Sequence, residues 1–201
     1  MPVSAPDPSV PPERKPRKDA VRNRAAVLAA ADTLFTGSRR PEDVTMSDVA
    51  AAAGVGKGTL FRAFGDRTSL IRALYQERLG PLTAAVAEGP PPLGPAATPA
   101  ERVPALLDAL LCFKLDHRHL ALALEGTGAD SPYGTEHYAH WHALLRDLLT
   151  GLLPPAEADF TAHALLAATR ADLVEHLAGE LATPREELRA RLAAHTARLL
   201  P

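Results

Sequence analysis

Lys57, Thr59 and Arg62 follow one another at short range in Gly56-Lys-Gly-Thr-Leu-Phe-Arg-Ala-Phe64. Two long cations flanking a hydroxyl suit contact with a phosphodiester. The cations neutralise phosphates, and threonine reaches a base edge or a thymine methyl. Gly56 and Gly58 would let the backbone between them approach a polyanion closely. Recognition, not bond breaking, is the chemistry such a set performs. Thr45, at a helix start, adds a hydroxyl and the first helical amides as further phosphate donors.

The second set of candidate groups is Glu136-His-Tyr-Ala-His-Trp-His142. His137 and His140, at i and i+3, would share a helix face at a spacing that zinc sites use. His142 would point elsewhere, and Asp116-His117-Arg118-His119 is the other partner set in reach. A helix-surface or pocket-lining role is the reading adopted, with no metal and no cofactor expected. Cys112 reads as a small buried hydrophobe.

These groups need elements to position them. From Asp19 the pattern turns helical, with Val21, Ala25, Leu28, Ala31 and Phe35 on one face and Gly37 as its stop. Ser38-Arg39-Arg40-Pro41-Glu42-Asp43 reads as a polar turn. Thr45 and Asp48 form a capping-box pair for a helix over Met46–Ala53, which turns Met46, Val49, Ala50 and Ala53 inward and ends at Gly54. A helix over about Gly56–Phe64 buries Leu60 and Phe64. Asp66 caps a fourth, which buries Leu70, Ile71, Leu74 and Tyr75 and runs to about Val86. The stretch from Glu88 to Pro95 cannot continue a helix, because proline lacks the amide donor; it reads as the loop between two functional halves.

Thr98-Pro99-Ala100-Glu101 restarts the helical pattern with a capping box. Helices follow to about His117, over His119–Glu125 and over His137–Leu153, with residues 126–134 as a loop. Two long segments, about Ala156–Leu181 and Pro184–Leu200, close the chain, the last with Thr183 and Glu186 as its capping box. No segment alternates as a strand does.

Composition agrees with that reading. Of the 201 residues 46% are apolar and only 4% aromatic, so Ala and Leu carry the packing, which favours helices. One cysteine excludes a disulfide within the chain and suits a reducing compartment. The N-terminal pattern is not that of a signal peptide, and no run approaches the roughly 18 apolar residues of a membrane span, so a cytoplasmic location is expected. Residues 1–80 hold 13 Lys+Arg against 9 Asp+Glu, and residues 81–201 hold 9 against 15, giving +4 and −6. A basic head on an acidic body suits an N-terminal part that meets nucleic acid. Residues 1–18 are Pro-rich, contain the cluster Arg14-Lys15-Pro16-Arg17-Lys18, and read as a disordered arm, either a solubilising tail or a further DNA contact.

Residues 19–79 resemble the DNA-binding domain of the TetR family of bacterial transcriptional regulators. The resemblance rests on an ordered set. An amphipathic helix ends in Leu34-Phe35. Thr45-x-x-Asp-Val-Ala50 and Ala53-Gly-Val-Gly-Lys-Gly-Thr-Leu-Phe-Arg-Ala-Phe64 follow it, and then Asp66-Arg67 and Leu70-Ile71. It implies a helix-turn-helix at 45–64 with Thr45, Gly56, Lys57, Gly58, Thr59, Phe61, Arg62 and Arg67 as DNA contacts, Arg67 on a neighbouring phosphate. Gly56 stands where the family commonly has serine, Phe61 where it has tyrosine and Arg67 where it has lysine; the first two remove hydroxyls that bond phosphate.

For residues 80–201 the resemblance implies a helical ligand-binding and dimerising domain. Candidate lining residues for a small-molecule effector are Leu110, Phe113, His117, Leu124, Tyr138, Trp141, His163 and Arg170. The last two helices, through Leu165, Leu166, Leu173, Val174, Leu177, Leu188, Leu192 and Leu199, are the expected homodimer interface, closing a four-helix bundle with their copies. The expectation is therefore an all-α chain of about nine helices: arm 1–18, helix-turn-helix domain 19–79 and larger domain 80–201. It would act as a non-enzymatic, ligand-responsive regulator, most simply a repressor that binds palindromic double-stranded operator DNA as a homodimer and leaves when an effector binds. The alternatives are a ligand- or partner-sensing module with weak DNA binding, and a metal-dependent enzyme using the histidine cluster.

Overall fold

The computed structural model describes residues 15–37, 43–125, 133 and 135–201. Among them every regular element is helical: α1 (Lys15–Gly37), α2 (Met46–Ala52), α3 (Lys57–Phe64), α4 (Arg67–Glu88), α5 (Pro99–Asp116), α6 (Arg118–Glu125), α7 (Glu136–Leu149), α8 (Pro155–Ala167), α9 (Ala171–Glu175), a π-helical turn (His176–Glu180) and α10 (Arg185–Leu199). The all-α expectation holds. Residues 1–14 of the expected arm, 38–42 of the expected turn and most of the 126–134 loop lie outside the described residues. Two compact units meet at Leu70 and Ile71, inside α4.

In the first unit α1 packs on α2 and α2 on α3. α1 begins at Lys15, so Lys15–Lys18 are helical; Pro16 sits in the first turn, where its missing N–H would have no helical partner. Val27, Leu28, Ala31 and Phe35 form its buried stripe, whereas Val21 is 67% exposed and Ala25 is also exposed. Val21 lies two turns before Leu28 on the same side of α1, beyond the stretch that its packing partners bury.

The second unit packs α7 on α8, α10 on α5, α6 on α9, and α5 on α7 and α9. The Pro-rich stretch 89–98 belongs to it. Arg102 ties that stretch down, donating from Nε to the Leu93 carbonyl (3.0 Å) and from a terminal nitrogen to the Val86 carbonyl (3.0 Å). Thr98 and Glu101 form the expected capping box.

Two expectations need correction. The single helix over 156–181 is three pieces, because Arg170 is extended (φ −60°, ψ 143°) and the Glu125 carboxylate from α6 accepts the Ala171 N–H (3.0 Å), starting α9 afresh. The π-helical turn follows, with the Arg118–Glu175 ion pair lying where a Cβ on Gly179 would stand. Thr183 makes no capping box either. Pro184 takes the cap position of α10 without a side-chain bond, and Glu186 pairs with Arg189 at 3.0 Å.

The expected interface leucines also divide. Leu165, Leu166, Val174, Leu188 and Leu192 are buried in the chain's own core, at most 8% exposed, while Leu173 and Leu199 remain exposed. Leu177 is half-buried. Among the described residues no helix is long and apolar enough to cross a membrane.

Candidate nucleic-acid interface

The α2–α3 pair is fixed at each end by its own sequence. Thr45 Oγ accepts the Asp48 N–H (3.2 Å), while Thr45 N–H (2.9 Å) and its hydroxyl (2.6 Å) both donate to Asp48 Oδ2. Those bonds hold the Asp48 carboxyl below its ordinary pKa, with a smaller contribution from the Lys57 charge. At the other end Val55 N–H reaches the Ala50 carbonyl (3.1 Å) and Gly54 N–H the Ala51 carbonyl (3.2 Å). This crossed pair is a Schellman motif, and it requires the left-handed φ of +64° at Gly54. The turn into α3 is therefore set by local chemistry, which fixes which face of α3 turns inward.

That inward face is Leu60 and Phe64, one helical turn apart and 0% and 7% exposed. Burying two such side chains contributes about 1.5–3 kcal/mol each. Opposite them Lys57, Gly58, Thr59, Phe61 and Arg62 are all exposed, as are Gly56 and Thr45. Phe61 is 48% exposed and stands among the cations. Seven of the eight sequence-derived contact residues are thus surface residues, brought together on α3 and on the cap of α2.

Arg67 is the exception. It is half-buried, donates from Nε to the Val44 carbonyl (3.1 Å), and its guanidinium lies 5.3 Å from the centre of the Phe35 ring. It braces the start of α4 against α1 and the entry to α2. Thr45 is likewise engaged, since its hydroxyl proton points to Asp48.

One residue escaped sequence reading. Arg24 on α1 covers the Phe64 ring at 4.7 Å, and with Asn23 and Val27 it faces Thr59 and Arg62 across an open groove of about 390 Å³. Its signal was present: Arg24 falls off the apolar stripe of α1. What the sequence could not supply was which helix lies beside it.

In the second unit the candidate lining residues fall into two groups. Phe113, His117 and Trp141 gather round Tyr75 and His137, with Tyr75–Phe113 ring centres 5.1 Å apart and Phe113–His117 4.8 Å apart. Leu110 is buried and Leu124 half-buried. Tyr138 and His163 instead join Tyr133 and His142. Arg170 caps α9 and pairs with Asp172 (2.8 Å). Cys112 is half-buried rather than fully buried.

Around the first group lies an ionic cluster absent from the expected lining. Lys114, 8% exposed, pairs with Glu125 at 2.8 Å. Tyr75 Oη lies 3.4 Å from Glu125 Oε1 and 3.3 Å from His137 Nε2. Burial lowers the Lys114 pKa against the opposing pull of Glu125. Burial also raises Tyr75 far above its usual value, and it depresses His137 to about 4 with help from the Lys114 charge. The sequence did hold a clue, since Lys114 follows Leu107 and Leu110 at i+7 and i+4, a charge on an apolar stripe.

Comparison with known proteins fits this geometry. The family model of bacterial regulatory proteins, tetR family, matches residues 27–74. The HTH-type transcriptional repressor LfrR of Mycolicibacterium smegmatis is 35% identical over 82 residues, 41% of this chain and 42% of that protein. An HTH-type transcriptional regulator of Staphylococcus aureus is 34% identical over 67 residues, 33% of this chain and 35% of its own length. The chain thus spans well under two thirds of these curated relatives. Among solved structures, a transcriptional regulator from Rhodococcus sp. superposes with a TM-score of 0.65 at 21% identity, covering 90% of this chain and 95% of that one. NalD, the secondary repressor of the MexAB-OprM multidrug efflux pump in Pseudomonas aeruginosa, gives 0.60 at 18% identity over 90% and 97%. At these identities the structural likeness concerns the fold alone.

Proposed function

We propose that this chain, whose residues 27–74 match the family model of bacterial regulatory proteins, tetR family, carries out ligand-responsive regulation of transcription by binding double-stranded operator DNA. The observation that carries the proposal is the two-faced α3. Leu60 and Phe64 hold it in the core, and Lys57, Gly58, Thr59, Phe61 and Arg62 are left outward behind a fixed turn. In this reading α3 enters the major groove. Lys57 and Arg62 neutralise phosphates, Thr59 meets a base edge, and Gly56 and Gly58 admit the backbone closely. Thr45 contributes through the first amides of α2, while Arg67 supports the frame.

A single α3 reads one short half-site, so we place a homodimer on a palindromic operator. Exposed Leu173, Leu181 and Leu199 from the last helical segments, with Phe160 on α8, are the surface proposed to close it. A small-molecule effector is proposed to act on the cluster around Tyr75, Glu125 and His137. Tyr75 lies on α4, the helix that continues from one unit into the other, so displacing it moves the element that follows α3 in the chain. By linkage, DNA then weakens effector binding by the factor with which effector weakens DNA binding. Repression follows where the operator overlaps a promoter.

The test is fluorescence anisotropy on a fragment selected from genomic DNA, across a salt series. Lys57→Ala and Arg62→Ala are each expected to weaken binding and to lower the salt slope by about one. Unchanged affinity and slope in both variants would remove α3 from the interface.

A further inference from the structure

We propose that His142, Asp159 and His163 form a binding site for a divalent transition-metal ion of the zinc type, open to water on one side. One potential ligand atom of each residue lies within 4.8 Å of the other two. The histidine pair singled out by spacing, His137 and His140, is not part of it; His137 is engaged with Tyr75. The site is assembled by packing. Asp159 and His163 stand at i and i+4 on α8, and His142 comes from α7, which packs against it.

Three features support an ion rather than simple aromatic packing. His142 Nε2 is buried with no hydrogen-bond partner among the described residues, and it stands 3.6 Å from Asp159 Oδ1, too far for a bond and near enough for both to meet one ion. The Tyr138 hydroxyl lies 2.5 Å from His163 Nδ1, which orients that ring from behind and leaves Nε2 as its free nitrogen. Two imidazoles and one carboxylate form a borderline donor set that suits zinc or cobalt, and three protein ligands leave a fourth position for water. Asp159 is exposed, so that position faces solvent.

The two imidazoles are stacked, with centres 3.8 Å apart and planes 25° apart. A shared ion must lie in the plane of each ring, so loading turns the His142 ring out of the stack while the Tyr138 bond holds the His163 ring in place.

The inference stands apart from the DNA-binding reading, and its failure would leave that reading intact. The test uses the full chain, stripped with a chelator and titrated with Co²⁺, then with Zn²⁺ in competition. One Co²⁺ per chain is expected, with a visible ligand-field absorption that Zn²⁺ displaces. His142→Ala and His163→Ala should abolish the absorption, with His142→Gln and His163→Gln doing the same should the alanine variants misfold by circular dichroism. Tyr138→Phe should weaken binding by about tenfold, because the orienting bond is lost while all three ligands remain. His140→Ala should change nothing. Absence of the absorption from the folded wild-type chain, or its survival in the His142 and His163 variants, would overturn the proposal.

Discussion

The cations of α3 and those of the second unit differ in what they face. Lys57 and Arg62 form no ion pair among the described residues, and both are exposed beside a bare backbone. In the second unit Lys114 meets Glu125, Arg118 meets Glu175, Arg185 meets Asp116 and Arg189 meets Asp108. The first arrangement leaves charge available to an outside polyanion, and the second uses it to hold helices together. Counting charges by halves shows a basic head and an acidic body; only partnership distinguishes the two uses.

The contrast breaks most visibly at Glu125. Glu125→Ala leaves a buried ammonium without its counter-charge and the Ala171 N–H without its acceptor. An expected loss of about 3–5 kcal/mol follows, read by urea denaturation. Lys57→Ala, on an exposed helix face, should stay within about 0.5 kcal/mol of wild type in the same assay. Equal losses in the two variants would mean that the Lys114–Glu125 pair contributes no more than a surface charge. Replacing both partners, as Lys114→Met with Glu125→Leu, should recover much of the loss, because no buried charge then remains.

A smaller effect comes from His137, the neutral neighbour of that pair. Its pKa falls from 6.5 to about 4 in the folded chain. Between those values the unfolded chain holds the proton and the folded one does not, so folding stability drops as pH falls. Stability attributable to this group is complete above about pH 6.5, declines to about pH 4, and changes no further below. The span corresponds to at most about 3 kcal/mol. Denaturation of wild type and His137→Gln across that range should give a gap that closes at acid pH. A constant gap would show that His137 does not titrate this way.

How far these properties were legible depends on whether their causes are local. The Thr45–Asp48 box, Gly54 in the left-handed turn, the Leu60–Phe64 face and the Asp66 cap all act within a few residues, and spacing alone found them. Arg67 shows the limit. Its charge and place at the head of α4 suit a phosphate; what spacing did not show is that Val44 and Phe35 reach it from 23 and 32 positions upstream. The second unit depends on such distant partners throughout. Glu125 caps α9 across 46 positions, so the break at Arg170 carried no mark in its own neighbourhood. His142 and His163 likewise approach one another only because α7 and α8 pack together.

The finest division between the two uses of the surface lies at Gly58. A Cβ built there meets nothing within 4 Å, and the residue sits in the first turn of α3 with ordinary helical backbone. Inside the chain, then, glycine has no steric reason to be at that position, and it costs helix stability relative to alanine. Gly58→Ala is expected to raise stability by up to about 1 kcal/mol. If α3 presents its backbone to DNA, the same methyl group obstructs that approach, and operator affinity should fall by about tenfold, equivalent to ~1.4 kcal/mol. The two readouts move in opposite directions, which no general loss of folding can produce. Denaturation and anisotropy measured on one preparation decide it. A variant that is more stable and binds the operator as tightly as wild type would mean that the open space over Gly58 is not where DNA lies.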